Sequence, residues 1–230
     1  MGVLHDPHLE RLLTTLHARS DAQLTIMRDF YSQHPREPQS LTADEAARLK
    51  TFRSDKLVAL DRDKAEFCYL LCRANNARRI VEAGTSYGVS TLYLAAAVRD
   101  NVCATDGRGV VIGTEYQPEK ARVARAHFEQ ARLSSFIDLR EGDLRETLKQ
   151  IDGPVDFMLV DIWTDMARPA LELVASHLKP GAIVVCDNTE QHRAAYADYF
   201  AFLEDPANHF RTTTLPFNGG LELSVRCPPA

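Results

Sequence analysis

Apolar positions change their period along the chain. Near the N-terminus Leu9, Leu12, Leu13 and Leu16 recur at i, i+3, i+4 and i+7, the stripe of an amphipathic helix. "YSQHPREPQS" interrupts the pattern, and "TADE" at 42–45 has the Thr-x-x-Glu form of a helix capping box. From residue 79 short apolar runs alternate with helical stripes. Strands are expected at "RIVEAG" (79–84), "GVVIGTEY" (109–116), "FIDLREG" (136–142), "VDFMLVDI" (155–162) and "GAIVVCDN" (181–188), each followed by a helix. The helix after Glu115 opens "QPEK" and aligns Ala124, Phe128 and Ala131. The one after Asp161 turns Leu171, Val174 and Leu178 inward and stops at "KPG". "FRTTTLPFNGGLELSVR" breaks the alternation, with two β-rich runs around Pro216, Asn218 and a Gly-Gly pair, as in a hairpin.

The expected architecture is α/β: a doubly wound, mostly parallel, seven-stranded sheet ending in an antiparallel hairpin. Residues 1–75 form an N-terminal helical extension and residues 76–230 the main domain. The length of 230 residues, 45% hydrophobic and 26% charged, suits one large core plus an extension. The formal charge of −5 with interspersed signs excludes a phosphate-neutralising stripe, so no nucleic-acid partner is expected. No apolar run reaches the roughly 20 residues of a membrane span, and "MGVLHDPHLE" has no leader pattern, so no membrane partner and a cytoplasmic location are expected. The five cysteines are odd in number and lack CxxC spacing, which argues against a disulfide framework or a zinc knuckle; Cys68 and Cys72 fit one face of a buried helix. His5 and His8 read as surface residues of a frayed terminus.

Ligands of an open α/β sheet bind beyond the carboxyl ends of the strands, where the strand order reverses. Those ends carry Glu82-Ala-Gly84, Glu115, Gly142-Asp143, Asp161 and Asp187-Asn188. In "VEAGTSYGVST" Gly84 and Gly88 allow a tight turn and bring backbone N–H groups and a helix N-terminus to a ligand, although a β–α turn needs glycine for its own sake as well. Glu115 can accept from two adjacent ribose hydroxyls. Without GxGxxG, the pair points to a single nucleoside rather than a dinucleotide. Asp161, Asp187 and Asn188, on neighbouring strand ends, can surround a hard cation such as Mg²⁺ or Ca²⁺. Alternatively, Asp187-Asn188 caps a helix beginning near "TEQHR". Trp163 can pack on a base or substrate ring, or in the protein itself.

These motifs together resemble the class I S-adenosylmethionine-dependent O-methyltransferases, in the cation-dependent branch that includes catechol and caffeoyl-CoA O-methyltransferases. The resemblance covers roughly residues 56–226 and rests on "VEAGTSYGVST", "GTEYQPEKARVAR", "EGDLRETL", "VDIW" and "CDN". It implies a Rossmann-like methyltransferase sheet. Glu82, Gly84, Thr85, Tyr87, Gly88 and Ser90 would surround the methionine and ribose, and Glu115 the ribose hydroxyls. Gly142 and Asp143 would lie near adenine, with Asp161 and Trp163 also on the donor side. Asp161, Asp187 and Asn188 would hold a divalent cation, Asp161 acting in catalysis as well. It further implies a small hydroxylated, catechol-like acceptor and a homodimer, with the N-terminal helices, including Leu24, Met27 and Phe30, as substrate cap or dimer contact. Two departures stand out. The loop "RDNVCATDGRG" is long, and Thr164 replaces the lysine of catechol-type enzymes, so that the cation alone, an unusually acidic substrate or, second to the cation, Lys56 as a substitute base would take over its part. The competing readings are a metal-independent methyltransferase, a non-catalytic nucleoside-binding relative, and an NAD-linked oxidoreductase, the last opposed by the missing GxGxxG.

Overall fold

In the computed structural model the described residues are 2–33, 42–103 and 107–228, and the chain divides into compact units at residues 1–59 and 60–230. The first unit carries α1 (Pro7–Asp21), α2 (Leu24–Gln33) and α3 (Ala43–Ser54). Asp6 caps α1 through the N–H groups of His8 and Leu9, and Leu9, Leu12, Leu13 and Leu16 are buried as the stripe predicts. Thr42 and Glu45 form the expected capping box on α3. Of the predicted break, Tyr31–Gln33 lie in α2 and residues 34–40 fall outside the described residues. Phe30 and Phe52 stack at 3.7 Å between centroids.

The second unit runs α4 (Arg62–Ala74), β1 (Arg79–Ala83), α5 (Val89–Cys103), β2 (Val110–Glu115), α6 (Pro118–Gln130), β3 (Ile137–Glu141) and α7 (Leu144–Thr147). It continues with β4 (Val155–Val160), α8 (Thr164–Ala175), β5 (Leu178–Asp187), α9 (Ala197–Glu204), β6 (Phe210–Leu215) and β7 (Leu221–Arg226). The strands form one sheet in the order β3-β2-β1-β4-β5-β7-β6, with β7 antiparallel to both neighbours. This is the Rossmann-like methyltransferase sheet expected from the sequence. Among the described residues no helix is long and apolar enough to cross a membrane.

β4 is buried at every position because helices cover both faces of the sheet, which is why its sequence is a continuous apolar run. α5 is apolar nearly all round for a related reason: it packs on β1 and β2 with one side and on α4 with the other. α4 thus belongs with the sheet, in the second unit.

Two boundaries differ from expectation. β5 begins at Leu178, pairing it with Val155, and Lys179-Pro180-Gly181 lie in a register shift before pairing resumes at Ile183 with Phe157. Leu178 is therefore a strand residue, and the pairing demands of β4 override the helix-stop chemistry of "KPG". The long loop is also shorter than it reads, since residues 99–103 complete α5; residues 104–106 lie outside the described set.

The order reverses between β1 and β4, which opens a crevice at their carboxyl ends. Every strand-end residue singled out above lies along that edge.

Candidate active site

The first strand end is organised by a buried acid. Glu82 accepts hydrogen bonds from Ser90 Oγ (2.7 Å), Thr85 Oγ1 (2.7 Å) and Thr91 Oγ1 (2.5 Å). Burial pushes its pKa up, the three hydroxyls oppose the rise, and nearby Glu115 adds to it. Glu82, Thr85 and Ser90 were expected to surround a ligand. Their side chains are buried and satisfy one another, so what they fix is the loop between β1 and α5.

The loop's N–H groups are also largely committed. Those of Gly84, Thr85, Ser86 and Gly88 donate to Thr114 Oγ1, Thr114 O, Glu115 Oε2 and Thr85 O. The cradle is therefore a shape more than a set of open donors. Gly84 sets that shape: its φ is +99°, and a Cβ there would lie 2.0 Å from the carbonyl oxygen of Asp161. Only glycine lets the β1 loop touch the end of β4.

Glu115 closes β2. Its Oε2 accepts from Ser86 N (2.8 Å) and its Oε1 from Gln117 N (2.7 Å), and each oxygen keeps a further lone pair for a ligand hydroxyl. Beyond it, Gly142 N–H donates to Glu115 O at 2.9 Å. Asp143 caps α7 and pairs with Arg145, which lowers its pKa to about 2. Tyr87, whose carbonyl lies 2.9 Å from His127 Nδ1, is anchored on the α6 side. Tyr116 and Trp163 are exposed at the same edge.

The second constellation stands at the ends of β4 and β5. Val160 pairs with Cys186, so Asp161 and Asp187 come next in register. Asn188 follows with a left-handed φ of 56°, and its Nδ2 donates to Asp187 Oδ2 at 2.6 Å. The other oxygen of Asp187 accepts from Lys64 Nζ at 2.6 Å, and Asp61 lies 3.4 Å from the same ammonium. Burial alone would lower the Lys64 pKa, but Asp187 and Asp61 overcome it and hold it above its ordinary value. Burial pushes Asp161 well up, and the neighbouring Asp187 and Glu82 push it further.

Lys64 and Asp61 were missed by the sequence reading. A signal existed: Lys64 is in phase with Cys68 and Cys72 on the buried face of α4, where a lysine is out of place without a partner. Lys56, a candidate substitute base, lies in the first unit. There its ammonium pairs with Asp55 and sits 4.7 Å from the centroid of Phe52. Thr164 opens α8.

Among the described residues no group of three or more His, Cys, Asp or Glu side chains is arranged as a metal site; the available set is two carboxylates and one amide. That set fits a hard divalent cation on charge. Asp61, Asp161 and Asp187 set three acids against one ammonium, so two negative charges remain when all three are ionised. Among the described residues the Asp161 carboxylate has neither an ion pair nor a hydrogen bond, which is costly for an anion in this setting. Gly219, whose added Cβ would fall 2.5 Å from Asn188 Oδ1, keeps space beside the amide oxygen.

A family described as Methyltransferase domain matches residues 81–189, the span from the middle of β1 to just past the end of β5. Catechol O-methyltransferase of Mycobacterium tuberculosis is 29% identical over 150 residues, covering 65% of this chain and 62% of that protein. Caffeoyl-CoA O-methyltransferase 2 of Eucalyptus globulus is 26% identical over 201 residues, covering 85% and 78%. The chain spans about three fifths of the length of the first curated relatives it matches. The O-methyltransferase of Bacillus cereus, solved in complex with SAH, superposes with a TM-score of 0.66 at 20% identity, covering 86% of this chain and 96% of that one. At that identity the likeness shows the fold alone. Residues 81–189 are thus similar in sequence to a methyltransferase domain and to catechol and caffeoyl-CoA O-methyltransferases.

Proposed function

We propose that this protein is an S-adenosylmethionine-dependent O-methyltransferase that uses a divalent cation and acts on a small, catechol-like hydroxylated molecule. The observation that carries the reading is the convergence of the Gly84 loop, Glu115 and the Asp161–Asp187–Asn188 set on one crevice. When bound, S-adenosylmethionine supplies a methyl group that passes to the acceptor oxygen as its bond to sulfur breaks, the electron pair staying on sulfur, and the cation supplies positive charge beside that oxygen.

The chain's own residues do the rest. Glu115 offers lone pairs to the ribose hydroxyls, and the Glu82 hydroxyl cluster holds the β1 loop rigid under the donor. Asp161, Asp187 and Asn188 would hold the cation. A phenolic hydroxyl of pKa near 10 costs about 4 kcal/mol to ionise at pH 7. Thr164 supplies no base for it, since an alcohol does not take a proton near neutrality. Trp163 and Tyr116 offer exposed rings to a planar ligand.

Calorimetric titration of the whole protein with S-adenosylmethionine, NAD and Mg²⁺, joined to a methylation assay on catechols, tests the reading. Donor binding with chelator-sensitive turnover is expected; binding of NAD in its place would overturn it. One observation favours a second reading, a methyltransferase that needs no divalent ion: the Lys64 ammonium already beside Asp187. Full turnover in excess chelator would select it.

A further inference from the structure

Lys64 is 1% exposed, and its ammonium lies at 2.6 Å from Asp187 Oδ1. A buried ion pair is weak evidence of stabilisation, because desolvating both ions offsets their attraction. The fold does not require a charge at this point of α4, whose neighbours Ala65, Cys68 and Cys72 are all apolar and buried. The lysine is nevertheless held in place from two further sides. Asp61 lies 3.4 Å from its Nζ and accepts at 3.5 Å from Asn218 in the β6–β7 turn. Phe217 of that turn packs on Phe67 of α4 at 5.4 Å between centroids. The Asn218 turn also carries Gly219, which abuts the Asn188 side chain. One closed circuit of contacts thus runs from α4 through Asp187 and Asn188 to the hairpin and back. Lys64 is the one member that faces a candidate cation ligand with positive charge.

We propose that Lys64 sets the cation preference of this site: its ammonium on Oδ1 opposes bidentate use of Asp187 and leaves a cation the remaining lone pair of Oδ2, which also accepts from Asn188 Nδ2, and this favours a small six-coordinate ion such as Mg²⁺ over Ca²⁺. The inference rests on the cation-dependent reading above. Ca²⁺ takes six to eight oxygens and gains from bidentate carboxylates, whereas Mg²⁺ takes one oxygen from each of few carboxylates and keeps its waters. The ammonium also removes one unit of the attraction an ion would feel, so the site binds more weakly than its carboxylates alone would allow. Loss of Lys64 should therefore tighten binding and relax the preference, which is the reverse of what loss of a merely structural pair does.

Binding of Mn²⁺ to the full-length protein, read by electron paramagnetic resonance with Mg²⁺ and Ca²⁺ as competitors, tests this without recourse to turnover. Lys64→Met is expected to bind Mn²⁺ about tenfold more tightly and to shift the competition toward Ca²⁺. Unchanged or weaker binding, with the same ranking of competitors, would overturn the assignment of Lys64 while leaving the cation reading intact. Should Lys64→Met fail to fold, a crystal of the native protein soaked in CaCl₂ decides. Asp187 must then bind through Oδ2 alone, with Lys64 still on Oδ1; a bidentate Asp187 or a displaced Lys64 refutes the proposal. A native protein that binds no Mn²⁺ removes both the cation reading and this inference.

Discussion

The N–H of Ser86 donates to Glu115 Oε2 across 2.8 Å, tying the tip of the β1 loop to the end of β2. Ser86 has a left-handed φ of 49°, so the turn is held against its own backbone preference by that carboxylate. Glu115 thus shapes the crevice at the strand ends as well as facing it. Glu115→Ala should weaken S-adenosylmethionine binding at least tenfold, since each charge-assisted hydrogen bond lost is worth about 1.5–3 kcal/mol. Glu115→Gln, which keeps one acceptor oxygen, should fall between. Equal dissociation constants for all three proteins by calorimetry would remove Glu115 from the site.

The buried Glu82 makes a prediction about pH. Its folded-state pKa is raised, chiefly by burial, above an unfolded value near 4.3. The folded state therefore binds the proton more tightly, and the contribution of Glu82 to stability falls as pH rises from the unfolded pKa toward the folded one. Glu82→Gln stays neutral throughout. Measured by thermal melts from pH 4 to pH 8, its stability relative to the native protein should improve as pH rises. A penalty that grows with pH would mean that the three hydroxyls outweigh burial and depress the pKa.

Asp161 and Asp187 carry the same formal charge at adjacent strand ends, yet their removal should have unequal effects. Asp187→Ala strands the buried Lys64 ammonium and should cost about 3–5 kcal/mol in chelator-treated protein. Asp161→Asn abandons no partner and relieves repulsion from Asp187, so the metal-free fold should be no less stable. Lys64→Met combined with Asp187→Leu should recover most of the loss, apolar groups replacing a buried pair. Urea denaturation of the four proteins measures this; equal losses for the two single aspartate variants would mean that the Lys64 pair contributes nothing.

What the sequence made legible follows from which forces act locally. The apolar runs of β1, β2 and β4 and the Asn-Gly-Gly hairpin turn are local signals, and the structure carries them within a residue or two. β5 was misjudged at its start because Pro180 and Gly181 are breakers on local grounds alone, whereas the pairing of Leu178 with Val155 of β4 is a long-range effect. The strand-end acids were legible because topology places every such end on one edge. Lys64 was not, because its partner is 123 residues away and only the packing of α4 on the sheet brings them together. Nor was it legible that Thr85, Ser90 and Thr91 turn back onto Glu82, since no local pattern announces those contacts.

Thr164 carries the last prediction, because it stands where the family resemblance implies a lysine. It opens α8 one residue after the exposed Trp163 and three after Asp161. With no base at 164, the acceptor hydroxyl must lose its proton to solvent, helped by positive charge in the site. The methylation rate should then rise with pH toward the acceptor's effective pKa, about tenfold per unit where ionisation limits the rate. Thr164→Lys adds an amine that can take the proton once it is itself neutral, and a neighbouring ammonium also favours the ionised hydroxyl; both effects move the rise to lower pH. Lys56, bound to Asp55 and lying over Phe52, is the alternative base. Lys56→Met separates the two: if solvent accepts the proton, its pH–rate profile has the same slope and midpoint as the native one. A native profile flat between pH 6 and pH 9, with activity lost in Lys56→Met, would make Lys56 the base and Thr164 a bystander.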